Sequence, residues 1–429
     1  MPVKTKASPR VRTVDLLVDE AAELVTLADL PDRPRSGPDM GRLGLIPGGS
    51  VAVDRGKIVT AGPAGELRRR FRGRRRIDAR GKTVLPGFVD PHTHPVFAAT
   101  REGEFEARIE GKTYQEIAAA GGGILSSVRA VRAASRAELA RLVRLRLDRF
   151  LALGTTTIEA KSGYGLSTED EVKSLEALRE AARGHPVEVV ATFLGAHEVP
   201  PEYRSDRKGY LKLLLREMLP RVRKRGLAEF VDVFCEKGVF ELEESRTLLE
   251  EARRMGFGLR VHADELSSLG GAELAADLGA ASADHLVQVS DQGIRRMRER
   301  GTIAVLLPGT SLFLGLPKDA PARRLVDAGV PVALGTDFNP GTCYTQSMPA
   351  ILNLACVRLR LRPAEAIVAA TLNAAHSLGR GDLVGSLHPG KQADLLVCDV
   401  PNHRHLAYEF GRNPVEAVIK KGKVVSLRA

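Results

Sequence analysis

The chain has 429 residues, 43% hydrophobic and 27% charged, with a formal net charge of +11. That balance fits a large globular domain with a smaller companion, and excludes low-complexity chains and membrane-spanning helices, because no apolar run approaches the ~20 residues such a helix needs. Cys235, Cys343, Cys356 and Cys398 are widely spaced and form no C-x-x-C pair, which predicts a reducing, cytoplasmic setting without a disulfide framework.

Basic residues open the chain, but Asp15, Asp19 and Glu20 interrupt the apolar part, and no signal peptide is expected. Val11 to Val18 and Leu24 to Leu27 read as strands, and Arg33 to Gly49, rich in Pro and Gly, as loop. Ser50 to Ala61 reads as two strands around an Asp-Arg-Gly turn. Arg68 to Arg76 (RRRFRGRRR) holds much of the positive charge. Only Phe71 interleaves it and no known nucleic-acid module surrounds it, so a solvated loop is expected and no nucleic-acid partner. Strand-turn-strand texture returns at Gly381 to Val400 and Val415 to Ser426. Both ends are therefore expected to pair into one small β-sandwich domain, residues 1–83 and 381–429, bracketing a core of residues 84–380.

The middle alternates. Apolar β-rich runs occur at Val84–Asp90, Thr155–Ala160, Val187–Leu194, Phe230–Phe234, Leu259–His262, Ala281–His285, Thr302–Leu307 and Val330–Leu334. Helical patterns lie between most of them, at Arg136–Leu153, Thr168–Ala182, Lys208–Arg225, Leu242–Met255, Gly271–Leu278, Ser290–Arg300 and Pro321–Ala328. Eight such units predict an α/β fold with a (β/α)₈ TIM-like barrel, whose chemistry belongs at the C-terminal ends of the strands. Polar residues do collect there: Asp90, His92 and His94; Glu159, Lys161 and Tyr164; His197; Glu236 and Lys237; His262, Asp264 and Glu265; Asp284 and His285; Asp337 and Asn339. Half of the ten histidines sit at these ends.

The stretch Val84 to Phe97 (VLPGFVDPHTHPVF) is the most informative. If Phe88 to His94 is a strand, both imidazoles face one side and can close on one metal ion. His92, His94, His262 and Asp337 would supply three imidazoles and a carboxylate, leaving a position for water. Glu265, three residues after His262, is placed to exchange a proton with that water, and His285 to hydrogen-bond the attacking water or polarise a carbonyl. Asp337 also reads as a turn or N-cap aspartate, and His285 as a strand cap. His185, His376, His388, His403 and His405 lie away from strand ends and carry no expected role.

PGFVDPHTHPVFAATREGEF, IEAKSGYGL, TFLGAHEVP, VHADE, SADHL and LGTDFNPGT together resemble the amidohydrolase superfamily, over essentially the whole chain. The resemblance implies one divalent or trivalent metal ion per subunit, zinc or iron, on His92, His94, His262 and Asp337, with Glu265, His285 and Asp337 as the catalytic group. It implies that substrate meets Arg101, Tyr164, His197, Glu265, Asn339, Gly341 and Thr342. The implied substrate is a small molecule, an imidazolone ring bearing a propionate, whose carboxylate Arg101 would hold bidentately. Some members carboxylate a strand-end lysine to bridge two metals; Lys161 follows the second run rather than the fourth, so a mononuclear site is expected. In the segment Pro95-Val96-Phe97-Ala98-Ala99-Thr100-Arg101 the resemblance departs at Ala98-Ala99, where Gly-Gly or Ala-Gly is expected before the Thr-Arg pair. Two alternatives stay open: a deaminase of the same superfamily, and a non-catalytic scaffold using the basic run. No membrane partner is expected, and a homodimer is the default for such enzymes.

Overall fold

The computed structural model describes residues 11–112, 116–117 and 121–427. The first strand, β1 (Arg12–Val25), joins the two N-terminal runs into one, because a bulge between Val18 and Ala21 carries the strand across Glu20, which takes φ 62°. The strands β2 (Leu45–Asp54) and β3 (Lys57–Pro63) form a hairpin whose turn residues Arg55 and Gly56 both have positive φ, as a tight twisted turn requires. The predicted loop at 33–49 is therefore shorter than expected: it holds a 3-10 turn at Gly37–Gly41 and the start of β2.

The basic run is not a loop. Ala64–Arg70 is helical and leads into β4 (Phe71–Asp78), parallel to β1. Buried Leu67 and Phe71 anchor the segment, while the arginines between them stay at the surface. Asp19, buried, takes Arg68 at 2.9 Å and Arg76 at 2.6 Å. The charge thus partly neutralises the sheet's own acids.

The run Val84–Asp90 serves two sheets. Its first part is β5 (Thr83–Pro86), paired to β1; its second is β6 (Phe88–Asp90), paired to β7 (Thr155–Lys161). The barrel continues through β8 (Glu188–Ala196), β9 (Phe230–Cys235), β10 (Gly258–Ala263), β11 (Ser282–His285), β12 (Ile303–Leu306) and β13 (Val332–Leu334), all parallel and in chain order. Helices pack outside, with Ser135, Ser167 and Ser290 capping three of them. The expected helix at 208–225 is interrupted by a π turn at Leu214–Met218, ahead of Pro220, whose missing N–H disturbs the regular ladder.

No ladder closes β13 onto β6. At the lower end Val89 N donates to Ala370 O (2.9 Å), and Asn373 Nδ2 to Val332 O (2.8 Å). At the upper end the chain beyond both strands closes the seam, with Asp337 N donating to His92 O (3.0 Å) and His94 N to Phe338 O (2.9 Å). The strand ends at Asp90, before Pro91, so His92 and His94 lie in this seam rather than on a strand as expected.

The C-terminal strands β14 (Leu395–Cys398), β15 (Val415–Lys420) and β16 (Lys423–Leu427) extend the first sheet to the order β16-β15-β14-β5-β1-β2-β3, with β4 beside β1. Residues 381–394 are turns rather than a strand. The two ends of this sheet meet: Ala393 N donates to Gly56 O and Gly422 N to Ala393 O, both at 2.9 Å. Leu16, Val18, Val53, Ile58, Leu395 and Ile419 share the core enclosed between them. No described helix is long and apolar enough to cross a membrane.

Candidate active site

The seam sequence after Asp90 brings two imidazoles and a carboxylate to one point. His92 Nε2 lies 3.2 Å from His94 Nε2 and 3.6 Å from Asp337 Oδ1, and His94 Nε2 lies 3.3 Å from the same oxygen. His92, His262 and His285 form a second, overlapping cluster of donors. The ring centroids of His92 and His262 are 4.5 Å apart, and those of His262 and His285 5.2 Å. Burial first, then the neighbouring cationic groups, keeps His92 and His94 well below the usual histidine range, so both present neutral nitrogens. The donor set fits a metal ion: His92 uses Nδ1 on Asp284, which leaves the lone pair of Nε2 turned into the cluster.

A layer of buried charge lies under the imidazoles. Asp284 Oδ2 meets both His92 Nδ1 (2.6 Å) and Arg260 Nη2 (3.2 Å). Asp232 Oδ2 meets His262 Nδ1 (2.9 Å), close as an ion pair but off the line of a hydrogen bond, and Lys161 Nζ (2.7 Å). Lys161 also holds Glu159 (2.8 Å), whose second oxygen accepts from Thr93 N (3.1 Å). Burial opposes charge on His262 and Asp232, but their mutual attraction wins, raising the first and lowering the second. Lys161 is thus engaged by two carboxylates and stands in the supporting layer. Asp232 and Arg260 carried no sequence signal: both sit mid-strand in apolar runs, where an isolated charge reads as an interruption.

Glu265 and His285 face each other, Oε1 to Nδ1 at 3.5 Å. Burial and then the Asp337 carboxylate push Glu265 up to about 8, and burial pushes His285 down to about 3. His285 (φ 73°), Asp337 (φ 51°) and Asp264 (φ 50°) all adopt left-handed backbone, unusual for these residues. Asp264 is held there by four backbone N–H groups, from Leu269 to Ala272. Thr310 Oγ1 donates to Asp337 Oδ2 (2.5 Å). Beneath Asp337, Asp90 accepts from Thr336 Oγ1 (2.6 Å) and N (3.0 Å), and burial raises it to about 7.

The remaining predicted contacts ring this cluster. His197 stacks on His94 with ring centroids 5.2 Å apart, anchored through Nδ1 to Gly163 O (3.0 Å). Tyr164, buried, lies 5.3 Å from His197 and 6.1 Å from His94, centroid to centroid. Asn339 spends its amide inside its own turn: Oδ1 accepts from Gly341 N (2.8 Å) and Thr342 N (2.7 Å), and Nδ2 donates to Thr342 Oγ1 (2.8 Å) and Asp337 O (2.7 Å). Arg101 packs flat on Gly341, where any Cβ would collide with its guanidinium, and pairs with Glu104 (2.6 Å). His185, His376, His388, His403 and His405 pair with surface acids or backbone away from the cluster.

The pattern of the amidohydrolase family matches residues 83–425. Imidazolonepropionases from Geobacillus kaustophilus and Symbiobacterium thermophilum are 53% and 54% identical, covering 96% and 97% of this chain and 97% and 98% of their own. Among solved structures, Escherichia coli guanine deaminase superposes with TM-score 0.70 at 19% identity, covering 96% of this chain and all of its own. A zinc-bound adenosine deaminase from Xanthomonas campestris gives 0.66 at 21%, covering 96% and 93%. At such identity these two share the fold alone. The chain belongs to the amidohydrolase family and, within it, to the imidazolonepropionase group.

Proposed function

We propose that this chain hydrolyses the cyclic amide C–N bond of 4-imidazolone-5-propanoate, giving N-formimidoyl-L-glutamate, the third step of L-histidine degradation. The reading is carried by one observation: the neutral imidazoles of His92 and His94, the Asp337 carboxylate and the raised carboxyl group of Glu265 meet at one barrel mouth, in a chain about half identical to imidazolonepropionases along its length.

We assign His92, His94, His262 and Asp337 as ligands of one zinc or iron ion per subunit. Bound there, the cation supplies Lewis acidity, making water acidic near neutrality and polarising a carbonyl. The residues of the chain do the rest. Glu265 takes a proton from the attacking water as its oxygen bonds to the ring carbonyl carbon. His285, kept neutral by burial, offers a hydrogen bond as charge develops on the carbonyl oxygen. Glu265 then returns the proton to the ring nitrogen, the C–N bond breaks and the ring opens, and the former carbonyl becomes a carboxylic acid of the same molecule, which releases its proton to solvent. Arg101 holds the propionate, Tyr164 and His197 border the ring, and the Asn339–Thr342 turn, its backbone N–H groups spent within the turn, sets Gly341 and the Thr342 hydroxyl beside Asp337. An ultraviolet assay following loss of imidazolone propionate, with and without chelator, tests the reading. No turnover by the metal-replete protein sinks it.

A further inference from the structure

Arg108 is a second guanidinium at the same turn, and nothing above gives it work. It lies on Glu102–Ile109, the helix that Arg101 caps, seven residues and so about two turns further on and on the same side. Arg108 Nη1 donates to Gly341 O (3.0 Å), while Arg101 packs against the α-carbon side of the same glycine. The Arg108 guanidinium also sits 5.4 Å from the centroid of Phe313, which seals one side. Two cations therefore converge on one residue beside the candidate active site.

Their charge is not balanced. Among the described residues the paired carboxylate is Glu104, whose Oε2 is on Arg101 and whose Oε1 accepts from Gly123 N (3.0 Å) and Ser126 Oγ (3.2 Å). Arg101 Nε, Arg108 Nε and Arg108 Nη2 are shielded from solvent and have no hydrogen-bond acceptor among the described residues. Burial, then the Arg101 charge, lowers the proton affinity of Arg108. Buried N–H groups on a cation are costly unless an acceptor completes them. Holding Gly341 O uses one nitrogen and needs only a neutral donor. The other two fit an anion, and a carboxylate matches a guanidinium fork best.

We propose that Arg108 is a specificity-determining residue that joins Arg101 in a two-guanidinium subsite for the carboxylate of the ring substrate. The inference rests on the proposed function only in taking the substrate to carry that carboxylate. Arg108→Gln keeps a donor for Gly341 O and removes the charge; Arg108→Lys keeps the charge. Two readouts are needed. Titration calorimetry with imidazole-4-propionate, a ring carboxylate that contains no cyclic amide, should show Arg108→Gln binding about ten- to a hundredfold more weakly than wild type, the worth of a charge-assisted hydrogen bond, and Arg108→Lys falling between. Kinetics should show the Gln variant with raised KM and kcat within about twofold for imidazolone propionate, but no loss toward its carboxamide analogue. Wild-type affinity in the Gln variant, equal losses with carboxylate and carboxamide, or a wild type that ignores the probe each overturn the inference. A wild type that binds the probe yet turns over no imidazolone propionate sinks the proposed function instead, and the Gln comparison still decides the subsite.

Discussion

Asp284 Oδ2 stands 2.6 Å from Nδ1 of His92, and both side chains are fully buried. The carboxylate fixes which ring nitrogen carries hydrogen and so which one offers a lone pair. Arg260, on the same oxygen at 3.2 Å, keeps that carboxylate from being an unpaired buried charge. Asp284→Asn should weaken metal binding about 10–100-fold, read as metal retained after dialysis against graded chelator. Retention equal to wild type would show that His92 is oriented by other means.

Glu265→Gln should lower kcat by about a hundred- to ten-thousandfold while metal content stays normal. Elemental analysis and steady-state rates on the same preparation separate the two. Turnover close to wild type removes Glu265 as the proton carrier.

Glu265 accepts a proton only when ionised, so kcat/KM should fall as pH drops through its pKa. Burial and Asp337 raise that value to about 8 with no cation present, and a bound cation pulls it back toward the ordinary 4.5. The acid limb should therefore lie between those limits, and be missing from the residual activity of Glu265→Gln. A flat wild-type profile from pH 4 to 8 contradicts this assignment.

Lys161→Met leaves Glu159 and Asp232 buried beside each other without their shared cation, where each had an N–O contact under 3 Å. Breaking such a pair costs about 3–5 kcal/mol. Urea unfolding of the metal-free proteins should show that loss. A shift below about 1 kcal/mol would mean the carboxylates take up protons at little cost.

Gly341→Ala places a methyl group against the Arg101 guanidinium. The far end of an arginine moves more easily than backbone, so the expected result is a displaced Arg101: KM rises about tenfold or more, with little change in unfolding midpoint. Arg101→Ala should act in the same direction. A fall in kcat alone would detach both residues from substrate binding.

Much of the layout of the candidate site was legible in the chain. Every β-rich run but Thr302–Leu307 ended in a polar cluster, and His92, His94, His262, His285, Glu265 and Asp337 do meet at one end of the barrel. What was not legible has physical causes. Arg68–Arg76 looked like solvated loop because its charge masked two buried anchors, Leu67 and Phe71. Val84–Asp90 looked like one strand because a Pro-Gly pair inside an apolar run does not say that the chain changes sheets there. Asn339 looked like a substrate contact, while its amide in fact shapes the turn that presents Gly341 and Thr342.

By itself the sequence determined the alternation of strands and helices, and with it which residue types stand at strand ends, because hydrophobic period and turn chemistry are local properties. Only the tertiary structure decided how distant ends meet. The open seam between β6 and β13 puts His92 and Asp337 on one point, and buried partners far apart in the chain, Asp284 for His92 and Asp232 for His262, orient the imidazoles. Those pairings depend on strand register and on the desolvation of charges inside the barrel, which no local stretch of sequence carries.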